Sequence, residues 1–212
     1  MTQSPAFEKP KKRLFSDFDL STNLILKFGV AYILFYTLGL IGYYLVSIPL
    51  SETLNKYVTS YFACTFNMDK ALSDNVSLLV FASWADLRTI FFIFVCGFTM
   101  FSSIAIYGLL FYHALSLGFS SLYLVNCMSA GHLPEVNFFN LIFFLFSNAA
   151  VASILIVFSS KTRIFTDKFK ALGGRRKLIM RSKPLYLQIF TLLCMCGAIL
   201  FINIIRFILN IF

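Results

Sequence analysis

Charge is scarce in this sequence. Only 13% of its 212 residues are Asp, Glu, Lys or Arg, about half the share of an ordinary soluble domain. With 59% hydrophobic residues there is too little polar surface to cover a water-soluble globule, so lipid must cover the rest. Groups that do chemistry are scarcer still, at two histidines and nine acids. No HExxH, GxSxG, phosphate-binding loop or pair of carboxylates within one apolar run occurs. The sequence therefore predicts no catalytic, metal or cofactor-binding residue, and a protein that is not an enzyme. The five cysteines have neither metal-ligand spacing nor the pattern of a disulfide framework. Cys96, Cys194 and Cys196 sit in apolar runs as small hydrophobes. Whether Cys64 and Cys127 pair stays open.

What is abundant is apolar and aromatic, with 27 Phe and 10 Tyr. Four stretches contain no Asp, Glu, Lys or Arg: Phe28 to Ile48, Thr89 to Pro134, Phe138 to Phe158 and Leu185 to Ile205. Three match one bilayer crossing of ~20 residues. The second, at 46 residues, would as a straight helix extend about twice the hydrocarbon thickness, so it must fold back once. Charge placement reaches the same count independently. Lys9, Lys11, Lys12 and Arg13 form one basic segment. Lys161, Arg163, Lys168, Lys170, Arg175, Arg176, Lys177, Arg181 and Lys183, against the single acid Asp167, form the other. Both should face the cytoplasm, and they share a side only if the long run crosses twice.

The expected fold is therefore all-α, a polytopic membrane helix bundle with five transmembrane helices, a cytoplasmic N-terminus and an external C-terminus. A basic N-terminal segment, 1–27, precedes one membrane domain, 28–212, with spans at about 28–48, 89–110, 114–130, 138–158 and 185–205. The first span follows basic residues and has no small-residue cleavage site, so it reads as an uncleaved signal anchor. The basic segment 160–183 is its main cytoplasmic loop, accounted for by topology without invoking nucleic acid. Segment 51–88 is expected outside, with Leu54, Tyr57, Val58, Tyr61 and Phe62 at helical spacing as an amphipathic helix. Ser83 and Asp86 have capping-box spacing around Trp84 and are expected to mark the start of the second span. Asn75-Val76-Ser77 fits a glycosylation sequon but is too short a pattern to carry weight.

The fold-back carries no Pro or Gly-Asn signal, so its most interfacial residues, Tyr112 and His113, are expected to mark it, within 108–116. A proton relay at His113 would need a carboxylate in a membrane span, and the assigned spans contain none. Arg206, near the end of the last span, is expected to snorkel toward the headgroups. Gly29, Gly39, Gly42, Gly97, Gly108 and Gly118, with Ser120, Ser121, Asn140, Ser147 and Asn148, are expected to let helices approach or hydrogen-bond. The polar members offer an alternative, a path for a polar substrate.

The stretch from Gly97 to Asn126, GFTMFSSIAIYGLLFYHALSLGFSSLYLVN, resembles the stage II sporulation protein M family. Shared features are a Gly-led apolar helix, Leu110-Phe111 before a short turn, Gly118-Phe119 after it, and the ending Leu124-Val125-Asn126. The chain departs from the family pattern at Ser102, Ile104, Ala114 and Leu122. Gly97, Gly108, Gly118, Phe119, Asn126 and, in the fourth span, Asn148 are accordingly expected as helix-packing or family-motif positions. The resemblance implies a non-enzymatic scaffold in the cell membrane of a bacterium that assembles peptidoglycan hydrolases during engulfment, with stage II sporulation proteins D and P as partners. Tyr57, Tyr61 and Trp84 would be available for partner contact, and a homo-oligomer is a compatible assembly. The alternative function is a small permease or the membrane subunit of a transporter.

Overall fold

A computed structural model of the chain describes residues 21–47, 72–99, 101–129, 138–171 and 183–211. Every regular element among them is helical. We number the helices α1 (Thr22–Ser47), α2 (Leu72–Cys96), α3 (Ser102–Ser129), α4 (Phe138–Ala171) and α5 (Lys183–Ile211). Four of them, α1, α3, α4 and α5, are long and apolar enough to cross a membrane. The predicted external helix at Tyr57 and Tyr61, together with Cys64, lies outside the described residues, as do the side chains of Cys127 and Asn140.

The helices alternate in direction. Contacts along α1 and α3 climb in the same order: the Phe28 and Tyr107 rings are 4.9 Å apart, Phe35 and Phe111 5.0 Å, and Asn126 donates to the Tyr43 hydroxyl over 2.7 Å. These two helices are therefore parallel. Their close approach needs glycine at two points. A Cβ on Gly39 would collide with the Leu115 carbonyl, and one on Gly118 with the Tyr36 carbonyl and, at 3.1 Å, the Leu40 amide nitrogen. Backbone cannot swing aside as a side chain can, so small residues fix this crossing. Gly29, Gly42 and Gly108 face open space, where the sequence had suggested helix contacts.

One end of the bundle is held by a turn. α2 stops at Cys96, and α3 starts five residues beyond Gly97, at Ser102. The last turn of α2 tightens, with Phe98 bonding back to Val95 and Thr99 to Cys96, and the Thr99 hydroxyl also donating to the Cys96 carbonyl. Gly97 fits beneath Thr162, whose methyl would lie 2.7 Å from a Cβ there. Thr166 donates to the Gly97 carbonyl at 2.9 Å, and Gln188 of α5 to the Thr162 hydroxyl at 2.8 Å. α4 and α5 thus meet the α2–α3 turn at the same level.

The fold-back lies at 97–101, not within 108–116. The expected pair of spans, 89–110 and 114–130, is replaced by α2 and the continuous helix α3, which runs through Tyr112 and His113 without a break. In the sequence the polarity of His113 points to an interface, but it is satisfied inside the bundle, by Tyr32 and Asp86. Nor does α2 begin at a capping box. Ser83 is 4% exposed in mid-helix with no partner for its hydroxyl among the described residues, and residues 72–88, expected outside as part of segment 51–88, belong to α2.

Between the turn and the middle of the bundle the largest buried side chains are apolar, with the small hydroxyls of Ser159, Ser160 and Thr191 buried among them. Ile90, Ile93, Ile106, Leu110, Leu155, Phe158 and Ile199 are fully buried and pack together. A smaller cluster of Tyr43, Tyr123 and Leu124 with Phe144 lies toward the other end. Outward-facing positions are also apolar, with Ile104 and Phe101 each 74% exposed and Phe146 72%. A chain this apolar outside and closed in helices suits hydrocarbon, where every backbone amide must find its partner within the segment.

Candidate functional site

Above the apolar core, one connected chain of polar side chains draws on all five described helices. It begins on α1, where the Tyr32 hydroxyl lies 2.8 Å from His113 Nδ1 on α3. The other ring nitrogen, Nε2, is 3.5 Å from Asp86 Oδ1 on α2. The second carboxylate oxygen accepts from Asn203 Nδ2 of α5 at 3.4 Å. Asn203 Oδ1 in turn accepts from Arg206 at 3.1 Å. The Arg206 guanidinium closes onto α4, donating from Nε to Ser147 Oγ at 2.6 Å and from a terminal nitrogen to Asn148 Oδ1. Its carbon also lies 5.9 Å from the centre of the Phe144 ring.

The partners assign the protons. With His113 neutral, Nε2–H donates to the carboxylate and Nδ1 accepts from Tyr32, which is the only tautomer that satisfies both contacts. With His113 protonated, both ring nitrogens donate, and the pair with Asp86 becomes an ion pair whose side chains are each 15% exposed. Asn203 is 1% exposed, and its orientation follows from its neighbours, amide toward the acid and carbonyl toward the guanidinium. The site is therefore a tyrosine–histidine–aspartate relay joined by one amide to a clamped arginine.

Its depth follows from the helix rise. Asp86 precedes Gly97 by 11 residues and His113 follows Phe101 by 12, so both stand roughly 16–18 Å from the turn end at ~1.5 Å per residue. That is about half a hydrocarbon thickness of ~30 Å. Arg206 lies near the C-terminal end of α5, within the candidate span Leu185–Arg206. Its guanidinium turns inward to Ser147, Asn148 and Asn203, rather than snorkelling outward as its position suggested.

The residues singled out in the sequence divide accordingly. Asn148 is in the site, while Gly97 is in the turn and Gly118 at the α1–α3 crossing. Phe119 packs edge-on against Tyr43 with ring centres 5.3 Å apart. Asn126 bonds Tyr43, outside the site, and Trp84 is 62% exposed on α2. Of the suggested polar path, Ser147 joins Asn148 at Arg206, whereas Ser121 donates to its own helix at Leu117. The relay residues Tyr32, Asp86 and Asn203 were not anticipated. Asp86 had been placed outside the membrane, which left His113 without a carboxylate. Among the described residues, no group of three or more His, Cys, Asp or Glu is placed to hold a metal ion. Comparisons with protein-family models, curated proteins and solved structures returned no match for this chain.

Proposed function

We propose that this chain is a five-crossing membrane protein that takes up and releases a proton at His113 as part of moving a small polar solute, a proton-linked permease. The observation that carries the proposal is the relay itself. An Asp, a His and an Arg within a membrane bundle are costly to desolvate, and residues of this kind mark ion, proton or substrate pathways. Here side chains from all five described helices hold them, so any shift between helices changes the relay's hydrogen bonds.

The crossing count and the orientation belong to the same proposal. α2 carries Asp86 and Arg88 and is not among the four helices apolar enough to cross by composition alone, yet Ile90 and Ile93 are fully buried in the core, which supports α2 as a crossing. Lys161, Arg163, Lys168 and Lys170 cluster toward the turn end of α4. The positive-inside rule then makes that end cytoplasmic and the Arg206 end external.

The test is a pH jump on the purified protein in lipid nanodiscs, followed with a soluble indicator dye. Stepping to lower pH should bring more proton uptake in the parent than in His113→Gln, with Asp86→Asn also reduced. Equal uptake by parent and His113→Gln would rule the proposal out. The scaffold role implied by the family resemblance has one observation in its favour, the exposed Trp84 indole on α2. Recovery of peptidoglycan hydrolases with the parent but not with Trp84→Ala would favour that role instead.

A further inference from the structure

α2 carries two charges at neighbouring levels, and they face opposite ways. The Asp86 side chain is 15% exposed and turned toward His113. Arg88, two residues on, lies about 200° further round the helix and is exposed on the outer face. Among the described residues no hydrogen bond, ion pair or ring contact reaches it.

Its depth makes that exposure costly. Gly97 packs beneath Thr162, which stands between Lys161 and Arg163 in α4, and these basic residues set the turn at headgroup level. Arg88 precedes Gly97 by nine residues, so it stands roughly 13–14 Å farther in at ~1.5 Å per residue. That is nearly half a hydrocarbon thickness of ~30 Å. An arginine near a helix end can snorkel to the headgroups, but here neither surface is close. A guanidinium facing hydrocarbon calls for a partner of opposite charge.

The rest of the face says what kind of partner fits. Trp84 stands one helical turn farther from the Gly97 end, Phe92 one turn nearer to it and Val95 beyond, all exposed and spaced as one stripe. Such a stripe suits the side of another helix crossing beside α2, with apolar packing above and below the charged level. A second copy of this chain does not supply the charge. Copies related by a twofold along the membrane normal would set Arg88 against Arg88. The acids within the described helices lie elsewhere: Asp74 is 14 residues away along α2, Asp86 is inside the bundle, and Asp167 pairs with Arg163 near the turn.

We propose that the outer face of α2 docks a transmembrane helix of another polypeptide, whose Asp or Glu at mid-depth pairs with Arg88 while its apolar side chains pack on Trp84 and Phe92. The inference goes beyond the proton-uptake reading and rests on one part of it, α2 as a crossing. A helix holds a carboxylate at this depth, whereas a lipid phosphate would have to be drawn out of the headgroup layer.

The test uses the full chain in dioleoylphosphatidylcholine vesicles with a synthetic, lysine-flanked helix of ~21 leucines that carries one central Glu and a dansyl acceptor. Energy transfer from Trp84, the single tryptophan, reads binding. The Glu helix should bind about tenfold tighter than the same helix with a central Leu. That preference should vanish in Arg88→Leu and persist in Arg88→Lys. Arg88→Leu should have a Tm no lower than the parent's, since no described residue holds the guanidinium. Equal binding of the two helices by the parent, or a clear fall in Tm for Arg88→Leu, overturns the inference. Loss of the Glu helix when phosphatidylglycerol is mixed into the vesicles would assign Arg88 to a lipid phosphate and overturn it as well. The crossing is tested separately, without the synthetic helix: lipids brominated at mid-chain should quench Trp84 more than lipids brominated beside the headgroup, and the reverse order would overturn α2 as a crossing.

Discussion

Replacing Arg206 by Leu removes the residue that ties α5 to α4 at the relay. Among its contacts the guanidinium donates side-chain hydrogen bonds to Ser147, Asn203 and Asn148, all described residues. Side-chain hydrogen bonds between membrane helices contribute ~0.6 kcal/mol on average and ~1.7 at most, so three contribute roughly 2 to 5 kcal/mol. The loss is not relieved elsewhere. The substitution leaves the Asn203 carbonyl and both ends of the Asn148 amide without partners among the described residues. For a chain of this length ~1 kcal/mol corresponds to about 2–4 °C, giving a fall of roughly 4–20 °C in Tm. The sequence has one tryptophan, Trp84, two residues from Asp86, so its fluorescence in detergent reports unfolding at the relevant helix. Arg206→Lys should fall between parent and Leu, because an ammonium keeps the charge but cannot fork to three acceptors. Phe201→Leu, at a position 64% exposed, should leave Tm unchanged and serves as the control. A Tm for Arg206→Leu within about 1 °C of the parent would refute the claim that this cluster holds α4 and α5 together.

Two other substitutions probe the bundle away from the arginine. Gly118→Leu should force α1 and α3 apart, since its Cβ meets the backbone at Tyr36 and Leu40; a loss of about 1–3 kcal/mol is expected for overpacking, read as a lower Tm, whereas Gly108→Leu, facing open space, should be tolerated. Ser160→Ala should raise Tm by a few degrees, because it removes a fully buried hydroxyl without a partner among the described residues, a group that costs about 1–3 kcal/mol unsatisfied; a lower Tm would mean that the hydroxyl holds a water.

Much of the fold was legible because the bilayer leaves few choices. Runs without charge gave α1, α4 and α5 nearly at their observed places, and a run too long for one crossing had to turn. The turn itself was misjudged for a physical reason. Polarity at His113 looked like contact with headgroups, while the weaker marks of a turn, Gly97, Thr99, Ser102 and Ser103, passed as packing residues. Asp86 and Arg88 then drew the boundary of the second span at Thr89, and that error hid the relay. Its members are 81, 27 and 117 positions apart in the chain at successive links, so no local pattern could join them. Once α2 is allowed to carry an acid into the bundle, a carboxylate for His113 is the natural place to look. Arg206 was visible as an intramembrane charge, but not the inward direction of its side chain, which depends on Ser147 and Asn148 of another helix.

The central claim is that His113 is held inside the bundle between Tyr32 and Asp86. Nitrogen-15 NMR of the imidazole in lipid bilayers tests it directly, since the chain has only two histidines and His132→Gln leaves His113 as the single signal. At high pH the ring should be one tautomer, protonated at Nε2. Tyr32→Phe should shift the Nδ1 resonance and Asp86→Asn the Nε2 resonance. A ring averaging between tautomers as in water, with neither resonance moved by these substitutions, would contradict the account.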